Sequence, residues 1–128
     1  MNVPDGLLYT KEHEWIRIEN NSGTIGVTDY AQDALGDVTF VELPKIGDTI
    51  KQFKAFASIE SVKAVSDVYA PVSGKIIKIN EGLLKSPELI NQFPYENGWM
   101  VVIEIYDEKE KGNLMSASEY KKYLEGLT

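Results

Sequence analysis

The sequence predicts a mainly β protein, a β-sandwich or flattened barrel with small helices added in the middle and at the C-terminal end. Three observations carry this. Short runs of β-branched and aromatic residues recur at regular spacing along the 128 residues. Each run is closed by a cluster of Gly, Pro, Asn, Asp or Ser, the residues that turn a chain. Helical patterning with a terminus signal is clear in only two stretches, 29–36 and 116–127. The length suits one domain, 1–128, which can enclose a core without staples.

The first run, HEWIRIE (13–19), is a strand whose apolar residues Trp15, Ile16 and Ile18 do not alternate cleanly. NNSG (20–23) is turn chemistry, and TIGVT (24–28) is the returning strand of a hairpin. The spacing of Asp29 and Gln32 then makes a capping-box pattern, and Gly36 ends a helix of about two turns. DVTFVEL (37–43) is a strand stopped by Pro44, and Gly47-Asp48 makes a turn. AFASIES (55–61) and KAVSDVYA (63–70) are strands that meet near position 62. PVSG (71–74) turns the chain into KIIKIN (75–80), whose lysines mark exposed positions.

A long connection, 83–98, follows, with Ser86-Pro87 able to open one helical turn. WMVVIEI (99–105) is a buried strand. At the end, Ser116 and Glu119 make a capping box, and Tyr120, Tyr123, Leu124 and Leu127 form one apolar helical face. The segments 41–51 and 66–76 echo each other as strand, proline, glycine turn, strand.

Composition narrows the function. Twenty acidic against thirteen basic residues give a formal charge of -7, so nucleic acid and anionic membrane surfaces are poor partners. A partner with a basic docking face fits better. The absence of cysteine removes disulfides, thiolate metal sites and a cysteine nucleophile, and agrees with a reducing compartment. No apolar run reaches membrane-span length, and the first residues resemble neither a secretory signal nor a transit peptide. The expected location is the cytoplasm.

No catalytic constellation stands out. The one histidine, His13, lacks partners at metal-ligand spacing and is expected to be a structural residue beside Trp15. Glu12 and Glu14 flank it, but neighbouring strand residues face opposite sides. Lys63 is different. Between Phe56 and Ser66 the only ionisable groups are Glu60 and Lys63. The lysine falls where two strands must meet, at a tight exposed tip, and its amine can be acylated, which would remove its charge and create a tether.

The segment ESVKAVSDVYAPVSG (60–74) resembles the lipoyl-lysine motif of the glycine cleavage system H-protein family. The likeness continues through YTKEHEWI (9–16), GVTDYAQDALGDVTFVELPKIGD (26–48), PELINQFPYENGWM (87–100) and LMSASEYKKYL (114–124), so it covers nearly the whole chain. Biotinyl and other lipoyl domains share the hairpin, but biotinyl lysines normally stand between methionines, and here the neighbours are Val62 and Ala64.

The resemblance implies a lipoyl/biotinyl-type hammerhead β-sandwich. It also implies a carrier with no catalytic residues of its own, holding lipoate in amide linkage to Lys63. On that reading the arm takes an aminomethyl group from glycine at the P protein, a pyridoxal-phosphate-dependent decarboxylase. The T protein, an aminomethyltransferase, moves the carbon to tetrahydrofolate, and the L protein, dihydrolipoamide dehydrogenase, reoxidises the dithiol. It further implies that the loaded arm folds onto the surface, shielded by Glu14 and Asp67. Glu60 is assigned to recognition by lipoate-attaching enzymes, and Gly74 to a structural turn with unusual backbone angles. Two other uses stay open: donation of lipoyl groups to other complexes, and an unmodified sandwich that binds a protein partner.

Overall fold

The computed structural model describes residues 1–127. Among the described residues, nine strands form two antiparallel sheets. The larger has the order β1 (Leu8–Tyr9), β2 (Glu14–Glu19), β3 (Ser22–Val27), β9 (Val101–Ile105), β8 (Gly74–Ile79), β5 (Thr49–Ile50). The smaller has the order β4 (Val38–Glu42), β6 (Ala55–Ser61), β7 (Val65–Tyr69). The mainly β sandwich expected from the turn-bounded runs is the architecture found. The short strand β1 carries too few residues to show a period and was not anticipated; β5 is the second strand of the 41–51 echo.

The two sheets meet over one apolar core. Ile16, Ile25, Ile76 and Ile103 of the large sheet, with Val41 and Ile59 of the small one, are all at most 1% exposed. Each such side chain stabilises the fold by about 1.5–3 kcal/mol relative to an exposed one. A second cluster lies on the other side of β2, where Tyr9, Trp15, Tyr95 and Tyr120 pack together. Trp15 enters this second cluster and Ile16 the first, and both are fully buried. That is why β2 does not alternate: near its start it has no wet face.

The echo noted in the sequence has a structural counterpart. From β4, the chain leaves the small sheet, passes Pro44 and Gly47, and enters the large sheet as β5. From β7, it leaves the small sheet, passes Pro71, and enters the large sheet as β8. The two arrivals pair antiparallel, Thr49 with Lys75 and Ile50 with Gly74.

Helix α1 (Asp29–Leu35) is capped by Thr28, whose side chain accepts from the Ala31 amide, and not by Asp29. Asp29 instead accepts from the Gln32 side chain at 2.8 Å. The capping pattern therefore starts one residue earlier, because Thr28 is the last extended residue, with φ -76° and ψ 167°. Gly36 ends the helix at φ 75°, as expected of a glycine terminator. The returning strand β3 begins at Ser22, so the turn after β2 is tighter than the NNSG cluster suggested.

The connection holds two short helices, α2 (Gly82–Lys85) and α3 (Leu89–Gln92); Ser86 and Pro87 open the turn into α3, their carbonyls accepting from the Leu89 and Ile90 amides, while α2 was not anticipated. Ser86 ends α2, and Leu83 and Ile90 anchor the two helices in the main core.

After a 3-10 segment at Glu108–Asn113, α4 (Ala117–Glu125) carries the complete Ser116–Glu119 capping box. Tyr120 and Leu124 are buried, but Leu127 lies beyond the helix and is 44% exposed, so it does not belong to the apolar face. No helix among the described residues is long and apolar enough to cross a membrane.

Candidate functional site

The β6–β7 hairpin carries Lys63 at its tip. Ser61 and Ala64 close the turn, with the Ser61 amide donating to the Ala64 carbonyl at 2.8 Å. Ser61 Oγ accepts from the amides of Lys63, at 3.3 Å, and Ala64, at 3.1 Å. A serine hydroxyl thus satisfies the donors that a two-residue turn leaves unpaired. Val62 and Lys63 are left outermost; Val62 is 72% exposed, and Lys63 is exposed as well.

The tip is docked. The Val62 amide donates to the Asp37 carbonyl at 3.1 Å, just after the end of α1. The Lys63 side chain lies over Gly36: a Cβ added there would stand 3.5 Å from Lys63 Cε and 3.9 Å from Nζ. Asn91 braces this platform, donating to the Gly36 carbonyl and the Gln32 side chain and accepting from the Val38 amide. Neither Asp37 nor Asn91 stood out in the sequence, because each works through a backbone partner distant in the chain.

Beside the tip runs a cleft of about 310 Å³ between α1, the β1–β2 turn and the edge strand β7. Tyr30, Ala31, Ala34 and Leu35 form its helical wall, and Ala64 to Val68 form the hairpin wall. Glu14 and Asp67 both line it, so the structure brings together these two acids and the base of the Lys63 tip. Asp67 is exposed at the rim.

Glu14 is 1% exposed. One carboxyl oxygen accepts from Thr10 Oγ1 at 2.5 Å, and the other accepts from the Tyr69 amide at 3.1 Å. Burial pushes this carboxyl up to about 7; the Thr10 and Tyr69 hydrogen bonds oppose the shift, and Glu12 adds to it. Thr10 was not recognised from the sequence. The available signal was the hairpin closure at YTKEHE, which places residues 10 and 14 side by side: the Thr10 amide donates to the Glu14 carbonyl at 3.0 Å.

His13, expected beside Trp15, sits instead among tyrosines and also lines the cleft. Its ring lies 4.4 Å from that of Tyr30, and Nδ1 pairs with the Tyr120 hydroxyl at 2.8 Å. Burial lowers its basicity, so the ring is neutral at neutral pH. Its backbone adopts φ 72°, which lets the chain turn sharply before Glu14.

Glu60 does not line the cleft, although its cross-strand neighbour Val65 does. Its cross-strand partners are Phe40 and Val65, giving a row of one acid between two exposed apolar side chains on the outer face of the small sheet. Gly74 departs from expectation. It is not in the left-handed region but begins β8, and a Cβ there would collide with the Glu104 carbonyl oxygen of β9. Glycine is needed for close strand approach and not for an unusual φ. Among the described residues no cluster of His, Cys, Asp and Glu could hold a metal ion.

A two-sheet sandwich presenting one lysine on a docked hairpin tip beside an acid-lined cleft belongs to the lipoyl-type class of β domains. Residues 7–126 match the family Glycine cleavage H-protein. The chain is 56% identical over 125 residues to the glycine cleavage system H protein of Halothermothrix orenii, covering 98% of each chain. It is 54% identical to that of Oceanobacillus iheyensis, covering 98% of this chain and 99% of the other. The crystal structure of a glycine cleavage system H protein from Mycobacterium marinum superposes with a TM-score of 0.84 at 34% identity, over 94% of this chain and 97% of that one. This chain belongs to the glycine cleavage H-protein family.

Proposed function

We propose that the chain works as one domain, a cytoplasmic lipoyl carrier of the glycine cleavage system, with lipoate in amide linkage to Lys63. The observation that carries this is the exposed Lys63 amine on a hairpin tip whose flank opens directly into the cleft holding Glu14 and Asp67. Bound there, lipoate supplies a dithiolane that accepts the aminomethyl group of glycine and later gives it up.

The chain's own residues do the rest. Lys63 provides the attachment point, and its turn keeps the amine accessible to lipoate-attaching enzymes, which read Glu60 on the outer face. Asp67 stands four residues after Lys63, in the strand that leaves the tip, so the two are at most about 13 Å apart. That matches an extended lysine bearing a medium-length acyl group, so a terminal ammonium can reach both acids. Tyr30, Ala31, Ala34 and Leu35 give the shaft of the arm an apolar wall and exclude water.

Glu14 provides the cation's partner. Its carboxyl titrates near neutrality, so it can stay protonated beside an empty cleft and ionise opposite an ammonium. Asp67 closes the rim with a second acid. The partners on this reading are the P protein, which loads the carrier, the T protein, which unloads it, and the L protein, which reoxidises it. A covalent arm makes each transfer effectively intramolecular within a docked pair. The carrier contributes no catalytic group.

Peptide mapping after incubation with a lipoate ligase and lipoate tests the attachment. One lipoyl group on the peptide containing Lys63, and none on folded Lys63→Arg, is the expected result. A lipoyl group that persists in Lys63→Arg, or a folded wild-type chain left unmodified by a ligase active on a control protein, would overturn it.

A further inference from the structure

Glu14 forms part of a wall between two clefts. On one side is the cleft beside the Lys63 tip. On the other is a larger one, about 510 Å³, lined by Tyr9, Thr10, Phe53, Tyr69 and Met115 among others. Glu14 itself lines only the first. The two groups that hold its carboxyl, the Thr10 hydroxyl and the Tyr69 amide, belong to residues that line the second.

The Thr10 hydroxyl is only 3% exposed in its residue and is engaged twice by the same partner. It donates to a Glu14 carboxyl oxygen at 2.5 Å and accepts from the Glu14 amide at 3.1 Å. A hydroxyl in this position favours the carboxylate over the carboxylic acid, because it donates to the charged form. It also removes the rotational freedom of the Glu14 side chain, since each oxygen already has one fixed donor.

We propose that Thr10 is the positioning residue for Glu14, clamping its carboxyl together with the Tyr69 amide so that the remaining lone pairs face the cleft beside Lys63. This rests on the reading of Glu14 as the partner of a cationic arm terminus. The ligand class that such an arrangement selects is a primary ammonium, which has N–H donors to offer two fixed acceptors. Other titratable groups around Glu14 are Glu12 and His13 on its own turn, Tyr30 of α1, Asp67 and Tyr69 of β7, and Tyr120 of α4. None of these donates a side-chain hydrogen bond to the carboxyl, so the hydroxyl of Thr10 has no substitute.

The test needs no cofactor. Carboxyl carbon NMR of the unmodified chain follows the Glu14 titration in wild type, Thr10→Val and Thr10→Ser. Loss of the hydroxyl in Thr10→Val should raise the Glu14 midpoint by about one pH unit, and Thr10→Ser should restore it. An unchanged midpoint in folded Thr10→Val would overturn the proposal. Should that variant not fold, the wild-type hydroxyl proton decides. A slowly exchanging Thr10 hydroxyl resonance that moves with the Glu14 titration supports the clamp, and one exchanging at solvent rate overturns it.

The lifetime of the aminomethyl-loaded protein then separates the two readings. If Glu14→Gln shortens it and Thr10→Val shortens it in proportion to the midpoint shift, both stand. If Glu14→Gln leaves it unchanged, Glu14 is not the partner of the arm terminus, and the carboxyl titration still judges Thr10 as a clamp.

Discussion

Glu14 shows most directly how single residues shape the site. A carboxyl that is almost fully buried and faces no fixed cation is held mainly in its neutral form until neutrality. Its folded-state pKa is raised, so its contribution to stability is fully present below about pH 4.5 and is lost as the pH rises through about 7. Glu14→Gln keeps the shape without the ionisation. Relative to this variant, wild type should lose up to about 3 kcal/mol between pH 4.5 and pH 8, measured by urea unfolding at each pH. Parallel pH profiles for the two proteins would contradict the burial argument. At the rim, Asp67→Ala should shorten the lifetime of the aminomethyl-loaded protein severalfold, followed by mass spectrometry over time. An unchanged lifetime would remove Asp67 from the shield.

At the scale of elements, the legible parts were those written in local chemistry. The Ser116–Glu119 capping box, the Gly36 terminator and the Lys63 tip all depend on residues within a few positions of one another, and all are where the sequence places them. What was not legible depends on partners far along the chain. Asn91 braces Gly36 and Val38 from more than fifty residues away. Gly74 is required because β9 passes close to it, a fact that no turn pattern encodes. Gly74→Ala should therefore destabilise the protein by about 1–3 kcal/mol through forced separation of β8 and β9, measured by the shift in urea midpoint. A neutral substitution would mean that the strands give way freely. Thr28 displaced Asp29 as the cap because the strand ends one residue earlier than the acidic signal implied.

Over the whole molecule, β2 ties two cores together. Ile16 packs into the core between the sheets, and Trp15 into the cluster covered by α4, from adjacent positions of one strand. Neither core can come apart while the other keeps β2 in place. Urea unfolding followed by tryptophan fluorescence and by far-ultraviolet circular dichroism should give coincident transitions. Separate midpoints would show that the α4 cluster opens independently. The sandwich was readable as a class, since turn-bounded β-formers recur throughout the chain. The division into two cores was not, because the broken alternation at Trp15 and Ile16 looks the same as a weak strand signal until both faces of β2 are seen to be covered.

The same frame holds the hairpin tip and the cleft in a fixed relation, and the carrier reading rests on that relation. It is tested most directly by incubating the lipoylated chain, with its lipoyl group in the oxidised disulfide form, with glycine and the P protein and measuring its intact mass: the disulfide opens as carbon dioxide leaves, one sulfur taking the aminomethyl group and the other becoming a thiol. The account predicts a gain of one aminomethyl group on the lipoylated chain and no gain on Lys63→Arg. A chain bearing lipoate on Lys63 that takes up no aminomethyl group from an active P protein would contradict it.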